Sequence, residues 1–208
     1  MRYLPVLAVR TCTLLLLLIL FNSLSAQQVL DTFPVPPLKF DPKGELIITA
    51  PATSTNKDFD FLVGKWVMKN KHLNARFANC KEYTEFESNV ENQAGLEGNG
   101  NFDVVRRTLT NGTVYEGRTI RTFDPQTRLW RLYWVDSNGG SIDPPVVGSF
   151  TNGIGLFFCK DYQIGRPVIV LFRWDKTNPE RPLWSQAFSD DNGKTWEWNY
   201  SNTSYRTK

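Results

Sequence analysis

From Asp58 to the C-terminus, aromatic and β-branched residues alternate with polar ones in short runs. "KWVMKNKH" (65–72), "CKEYTEFES" (80–88), "NGNFDVVRR" (99–107), "TVYEGRTIRTF" (113–123) and "LWRLYWVD" (129–136) are the first five. "PVVGSF" (145–150), "IGLFFCKDY" (154–162), "RPVIVLFRW" (166–174), "PLWSQAFS" (182–189) and "TWEWNYSNTSYR" (195–206) complete the set. Period-two alternation reads as strand. Between the runs stand turn signals: "LTNGT", "FDPQTRLW", "DSNGG", "FTNGIG" and "SDDNGKTW". Asn-Gly and Asp-Asn-Gly supply the positive φ that tight hairpins need. No stretch carries an amphipathic helical period. The expectation is an all-β domain, an up-and-down antiparallel β-barrel of about 8–10 strands. Closure removes the exposed edges and leaves room inside for side chains or one small ligand.

The first 57 residues are different. Arg2 and Arg10 precede the apolar run "TLLLLLILF", and the small, polar "NSLSAQQ" follows. This is the layout of a secretory signal peptide, residues 1–26, with cleavage near Ala26. The run falls short of the ~20 apolar residues of a membrane span, so no span is expected after cleavage. The protein is expected to be exported, to a periplasm or to the outside. Residues 27–57 carry the proline clusters of "DTFPVPPLKFDPKG" and the small, polar "TAPATSTNK". They read as a flexible segment, with "ELIIT" (45–49) either adding an edge strand or lying along the domain. Residues 58–208 form the barrel domain.

Charge excludes one class of partner. The chain has 24 Lys+Arg and 21 Asp+Glu, and the leader holds two of the basic residues, so 22 face 21 without it. No basic block marks a nucleic-acid surface. Beyond the leader two cysteines remain, Cys80 and Cys159; they form either a disulfide, as export permits, or two separate buried thiols. With the lone His72 they fall short of a four-ligand zinc site, so no metal is expected. Asn111, Asn199 and Asn202 each begin an N-glycosylation triplet.

"SDDNGKTW" has the Ser-x-Asp-x-Gly-x-Thr-Trp pattern of the sialidase Asp-box. A propeller repeats it once per blade, whereas here it occurs once. The single copy reads as a built turn. Ser189 and Asp191 bond turn amides, Gly193 takes a conformation that a Cβ would hinder, and Trp196 packs the hairpin base.

"DFDFLVGKWVMKN" (58–70) leads into Gly64-x-Trp66. This resembles the Gly-x-Trp start of the calycins, the lipocalin-like barrels. In that superfamily the Trp packs across the closed end under a basic residue from a late strand. The resemblance gives that part to Arg206, by cation–π contact with Trp66. "FDFLVGKW", "CKEYTEFES", "LYWVDSNGGSIDPPVVGSF", "GRPVIVLFRW" and "LWSQAFSDDNGKTWEWN" follow in this order over residues 58–206. Together they are similar to a bacterial calycin-like family of unknown function related to DUF1579. The resemblance implies the barrel and carries no activity. Nitrobindin-like haem barrels, more distant calycin relatives, use an axial His late in the chain. Here the one histidine, His72, lies in the first strand region, and no cofactor is expected.

Seven tryptophans invite a binding role. A strand puts i and i+2 on one face, so Trp134 faces with Asp136, and Trp184 with Gln186. By the same rule Trp196, Trp198 and Tyr200 share a face. Aromatic walls with a few polar groups suit an apolar ring or a sugar face. Glu85 with Glu87, Arg118, Arg173 and Gln186 are the other candidates. Each lies either inside or on a solvated outer face; inside, a charge needs a partner, such as Arg118 with Asp136. No Ser-His-Asp set and no phosphate-cradling glycine loop is present. The leading expectation is a monomer or homodimer holding a small apolar or aromatic molecule. An isomerase, cyclase or hydrolase using inward Arg, Glu and Asp groups is the alternative, and a glycan-binding outer surface the third reading.

Overall fold

The computed structural model describes residues 32–207. The signal-peptide reading of residues 1–26 lies outside the described residues. Among the described residues no helix is long and apolar enough to cross a membrane.

Ten strands run in chain order: β1 (Gly64–Leu73), β2 (Tyr83–Gly95), β3 (Gly100–Thr108), β4 (Val114–Asp124), β5 (Leu129–Asp136), β6 (Val146–Thr151), β7 (Ile154–Gln163), β8 (Arg166–Asp175), β9 (Leu183–Ser189) and β10 (Glu197–Arg206). Each is hydrogen-bonded to its sequence neighbour, and β1 also pairs with β10, so the antiparallel meander closes into a barrel. The closing seam runs from Trp66 opposite Arg206 to His72 opposite Tyr200. All ten runs of alternating residues become strands, and the turn signals fall between them.

One end of the barrel is plugged. A 3₁₀ turn, Asp60–Leu62, carries Phe59 and Leu62 into it. Phe59 is fully buried, edge-on to Trp130 at 4.9 Å, Phe150 at 5.0 Å and Trp174 at 6.0 Å between ring centroids. Trp66 lies beside it, its indole N–H donating to the Leu62 carbonyl at 2.6 Å. The Arg206 guanidinium covers the Trp66 ring at 4.1 Å and donates to the Val63 and Phe61 carbonyls. Gly64 has φ +122°, and a Cβ there would stand 2.9 Å from an Arg206 nitrogen. The Gly-x-Trp spacing therefore lets the arginine reach across the strand start.

The stretch before the barrel departs from the expected flexible segment. Phe33, Val35, Leu38, Phe40, Leu46 and Ile48 pack on a second buried cluster, Phe158, Ile169, Leu171, Ala187 and Trp198. Phe40 and Leu46 form one isolated bridge, so "ELIIT" lies along the domain. The cause is in β8. "VIVLF" (168–172) is apolar on both faces, as a strand covered on both sides must be. The barrel interior covers one face and the 33–48 strap covers the other.

The Asp-box forms the β9–β10 turn. Ser189 Oγ accepts from the Gly193 N–H at 2.7 Å, and Asp191 accepts from the Thr195 N–H and hydroxyl at 2.9 and 2.6 Å. Trp196 packs against the outer cluster. Past the turn, the pairing of β10 with β9 shifts between Trp198 and Tyr200, leaving Asn199 as a bulge. Trp196 and Trp198 lie together at the outer cluster, as expected, but the bulge turns Tyr200 into the interior and removes it from their shared face.

Candidate ligand cavity

The interior above the plug is a cavity of about 760 Å³. That is room for a drug-sized molecule. Its floor is Leu62, Trp66, Leu132 and Trp174, and its walls include Phe86, Val105, Trp134, Phe172 and Trp184. Trp134 lies across the neighbouring strand. A Cβ on Gly117 would come within 2.3 Å of the indole, so only glycine admits the ring there. Trp184 is edge-on to Phe172 at 5.0 Å and to Tyr200 at 5.1 Å.

Several polar groups of the lower wall bond one another within the barrel, while Arg121 Nε, Asn92 Oδ1, Asn202 Oδ1 and the Trp174 indole nitrogen are buried without a partner. Arg121 and Asp103, almost wholly buried, pair at 2.6 Å, and Arg121 also donates to the Asn101 side chain at 3.0 Å. Gln186 donates to Asn199 Oδ1 at 2.8 Å, and Tyr200 to Asn70 Oδ1 at 3.1 Å. A buried charge or amide with its partner in place costs little to keep.

At the mouth the β1–β2 connection folds across the opening. Phe77 stacks on Phe188 at 6.2 Å and donates its N–H to Glu197 Oε2 at 2.7 Å. Arg76 donates to Gln163 of β7 at 3.1 Å and meets His72 Nε2 at 3.2 Å. Arg107 of β3 lies over Phe86 at 4.0 Å. Burial, reinforced by Arg76 and Arg107, lowers the His72 pKa, which favours the neutral imidazole. Burial pushes the Tyr200 hydroxyl up to about 12. Tyr115 is also pushed up, by burial and by its hydrogen bond to Asp136.

The rim next to these arginines is acidic: Tyr115, near Arg107, bonds Asp136, and Gln163, bonded to Arg76, bonds Asp161. Asp136 accepts from the Tyr115 hydroxyl at 2.9 Å, the Trp134 indole at 3.2 Å and the Asn138 and Gly139 N–H groups at 2.8 and 2.9 Å. Burial alone would raise its pKa, but these hydrogen bonds outweigh it and the net shift is downward. Asp143 is raised, first by burial and then by Asp161 and Asp136. Cys159, facing the cavity from β7, is pushed up to about 12 by burial and by Asp161 and Asp143. A thiol held that firmly protonated is a poor nucleophile. Cys80 and Cys159 are both free, so they are not joined. Among the described residues no group of three or more His, Cys, Asp or Glu side chains is arranged to hold a metal ion.

Of the residues singled out in the sequence, Trp134, Asp136, Trp184 and Gln186 line the cavity together. Four others do not. Arg118 points outward and pairs with Glu116 at 2.7 Å, not with Asp136. Glu85 and Glu87 are exposed on the outer face of β2, Glu87 beside Lys69 at 3.8 Å. Arg173 is buried, but under the strap, stacked on Phe33 at 3.8 Å and bonded to Asp175 at 2.9 Å. Trp198 lies outside, across the bulge from Tyr200 and edge-on to Phe33 at 5.2 Å. Of the three glycosylation triplets only Asn111 is exposed; Asn199 and Asn202 are buried. Sequence reasoning missed Arg76, Arg107, Tyr115 and Phe86, and weighed His72 chiefly as a metal or haem ligand. The signal for Arg107 is in "NFDVVRR": it shares a strand face with Asp103 and Val105, both interior.

No family model matches the chain, and no curated protein does. Solved structures do. The S-type phycobiliprotein lyase CPES from Guillardia theta aligns with a TM-score of 0.52 at 12% identity, over 76% of this chain and 94% of that one. The Rv2717c protein from M. tuberculosis aligns with a TM-score of 0.46 at 12% identity, over 77% of this chain and 99% of that one. The likeness to the lyase is one of fold: a closed, up-and-down barrel.

Proposed function

We propose that the protein binds a small, largely apolar or aromatic molecule inside the barrel. One observation carries this reading. A sequence that fills its plug with closely packed aromatic rings leaves about 760 Å³ open directly above them, walled by Trp134, Trp184, Phe86 and Phe172. Side chains of this size are able to fill a barrel, as Phe59, Phe150 and Phe157 do below. The lyase named above has the same fold and, by its name, acts on a phycobiliprotein; the shared fold is compatible with a ligand-holding barrel. The similarity of "FDFLVGKW" to DUF1579-related proteins agrees with the same architecture. The leader "TLLLLLILF" behind Arg2 and Arg10 supports export of the binding protein, as a monomer or homodimer.

A catalytic use of the barrel calls for a carboxylate with a raised pKa buried beside the ligand. The nearest match is Asp143, and it stands on the exposed rim. The geometry favours holding a ligand over transforming it.

The test is tryptophan emission of the full-length chain titrated with a panel of aromatic and aliphatic compounds. Saturable quenching by ring-bearing members is the expected result. It should weaken about tenfold or more when Val105→Trp fills the cavity, since a blocked pocket loses the burial that drives binding. A panel that leaves emission unchanged would remove the reading.

A further inference from the structure

Three arginines line the cavity: Arg76, Arg107 and Arg121. Arg121 has its carboxylate in Asp103. Among the described residues Arg76 and Arg107 have no carboxylate within ion-pairing distance, and the Nε of each is buried without a hydrogen-bond acceptor. Glu197 acts on Arg76 electrostatically from beyond ion-pairing distance; its Oε2 accepts from the Phe77 N–H and its Oε1 is buried without a hydrogen-bond partner. Asp136 is taken by Tyr115, Trp134 and two turn amides. Asp161 accepts from the Tyr162 N–H and the Gln163 side chain. His72 sits beside both arginines, and Tyr200 stands edge-on to it at 5.2 Å.

Two half-buried guanidiniums without an anion are costly to keep. Arg107 is also held in place, over Phe86 at 4.0 Å and near Tyr115 at 5.6 Å. A planar, fixed guanidinium with free N–H groups is the fork that binds a carboxylate through two bonds. The cations stand at the upper wall, above the Trp134 and Trp184 rings that suit an apolar body.

Resting on the cavity reading above, we propose that the ligand is an amphipathic organic carboxylate. Its apolar or aromatic body lies between the tryptophan walls, and its carboxylate is held by Arg107 and Arg76 beneath the β1–β2 connection. Arg107 supplies the recognition. Arg76, tied to Gln163 and His72, closes the connection over the head group.

A matched pair of probes tests this: pyrenebutyrate and its neutral alcohol, pyrenebutanol, each titrated against the full-length chain. The expected result is about tenfold or greater preference for the carboxylate, the range of a charge-assisted hydrogen bond, which Arg107→Gln abolishes and Arg107→Lys partly keeps. A second readout needs no variant. His72 is the one histidine of the chain, so its NMR titration reports the field at this site alone. Bound pyrenebutyrate should raise the His72 pKa and bound pyrenebutanol should not, because an anion beside Arg76 and Arg107 favours the imidazolium. Equal affinity for the two probes with an unmoved His72 overturns the carboxylate proposal and leaves the cavity reading standing. Failure of both probes to bind overturns the two together.

Discussion

Arg206 lies over Trp66 with its guanidinium carbon 4.1 Å from the ring centroid, and it ties the last strand to the chain just before the first. The two residues are also register partners across the closing seam. One contact thus fastens the seam and caps the plug. Arg206→Ala should lower stability by about 1–2 kcal/mol, from a cation–π contact and two hydrogen bonds. Urea unfolding measures it, with Arg206→Lys recovering only part because a lysine lacks the fork.

Phe59 is the centre of the plug, touched by five rings. Phe59→Ala should cost about 3–5 kcal/mol, the usual range for emptying a fully packed aromatic site. It should also open the floor of the cavity, which a crystal structure of the variant would show.

Asp191 is held down to about 2, first by the Thr195 hydroxyl and then by the Thr195 N–H and Ser189. Its folded pKa lies below the ordinary aspartate value of ~3.9. Its contribution is therefore complete above that value and is lost as pH falls toward about 2. Asp191→Asn should destabilise the protein at neutral pH. The gap in urea midpoint between variant and parent should close across that acid window. A gap independent of pH would assign the effect to shape and not to charge.

Asn199 is buried at the bulge, accepting from Gln186 and donating to the Glu197 carbonyl. Asn199→Ala should cost about 1–3 kcal/mol, because it leaves the buried Gln186 amide unpaired. Deleting the residue should be far worse. Without the extra residue Tyr200 and all that follows in β10 turn to the wrong face.

The fold was legible because it rests on local signals. Strict alternation and Asn-Gly turns lie within ten or so residues of one another, and they specify strands and hairpins wherever the chain goes. The face each strand presents was less legible. Arg118 and Arg121 stand three apart in one strand, hence on opposite faces, and nothing in their own chemistry says which enters. The packing of Trp134 across Gly117 and the pairing of Arg121 with Asp103 settle it, and both involve other strands. Asn199 shifts parity by one residue, which no alternation rule registers beforehand. The strap was misread because its prolines suggested a linker, whereas the two-faced apolar run of β8 was the better signal. The cationic site joins residues 72, 76 and 107, from β1, the β1–β2 connection and β3, which the successive β1–β2 and β2–β3 pairings bring together.

Outward placement makes a control for the cavity. Arg118→Ala and Glu85→Ala should leave ligand affinity within about twofold, since exposed charges far from a bound molecule are screened. Trp184→Ala and Trp134→Ala, which remove wall area, should weaken it by about tenfold or more. Fluorescence titration of the four variants with one quenching ligand separates the two faces.

The most direct measurement is native mass spectrometry of the protein purified gently from its own host. A small organic molecule retained one-to-one, released on unfolding and absent from a Val105→Trp variant, is the result expected of a ligand-holding barrel. Bare protein from the host, together with no tryptophan response to the compound panel, would contradict it and turn attention to the outer surface.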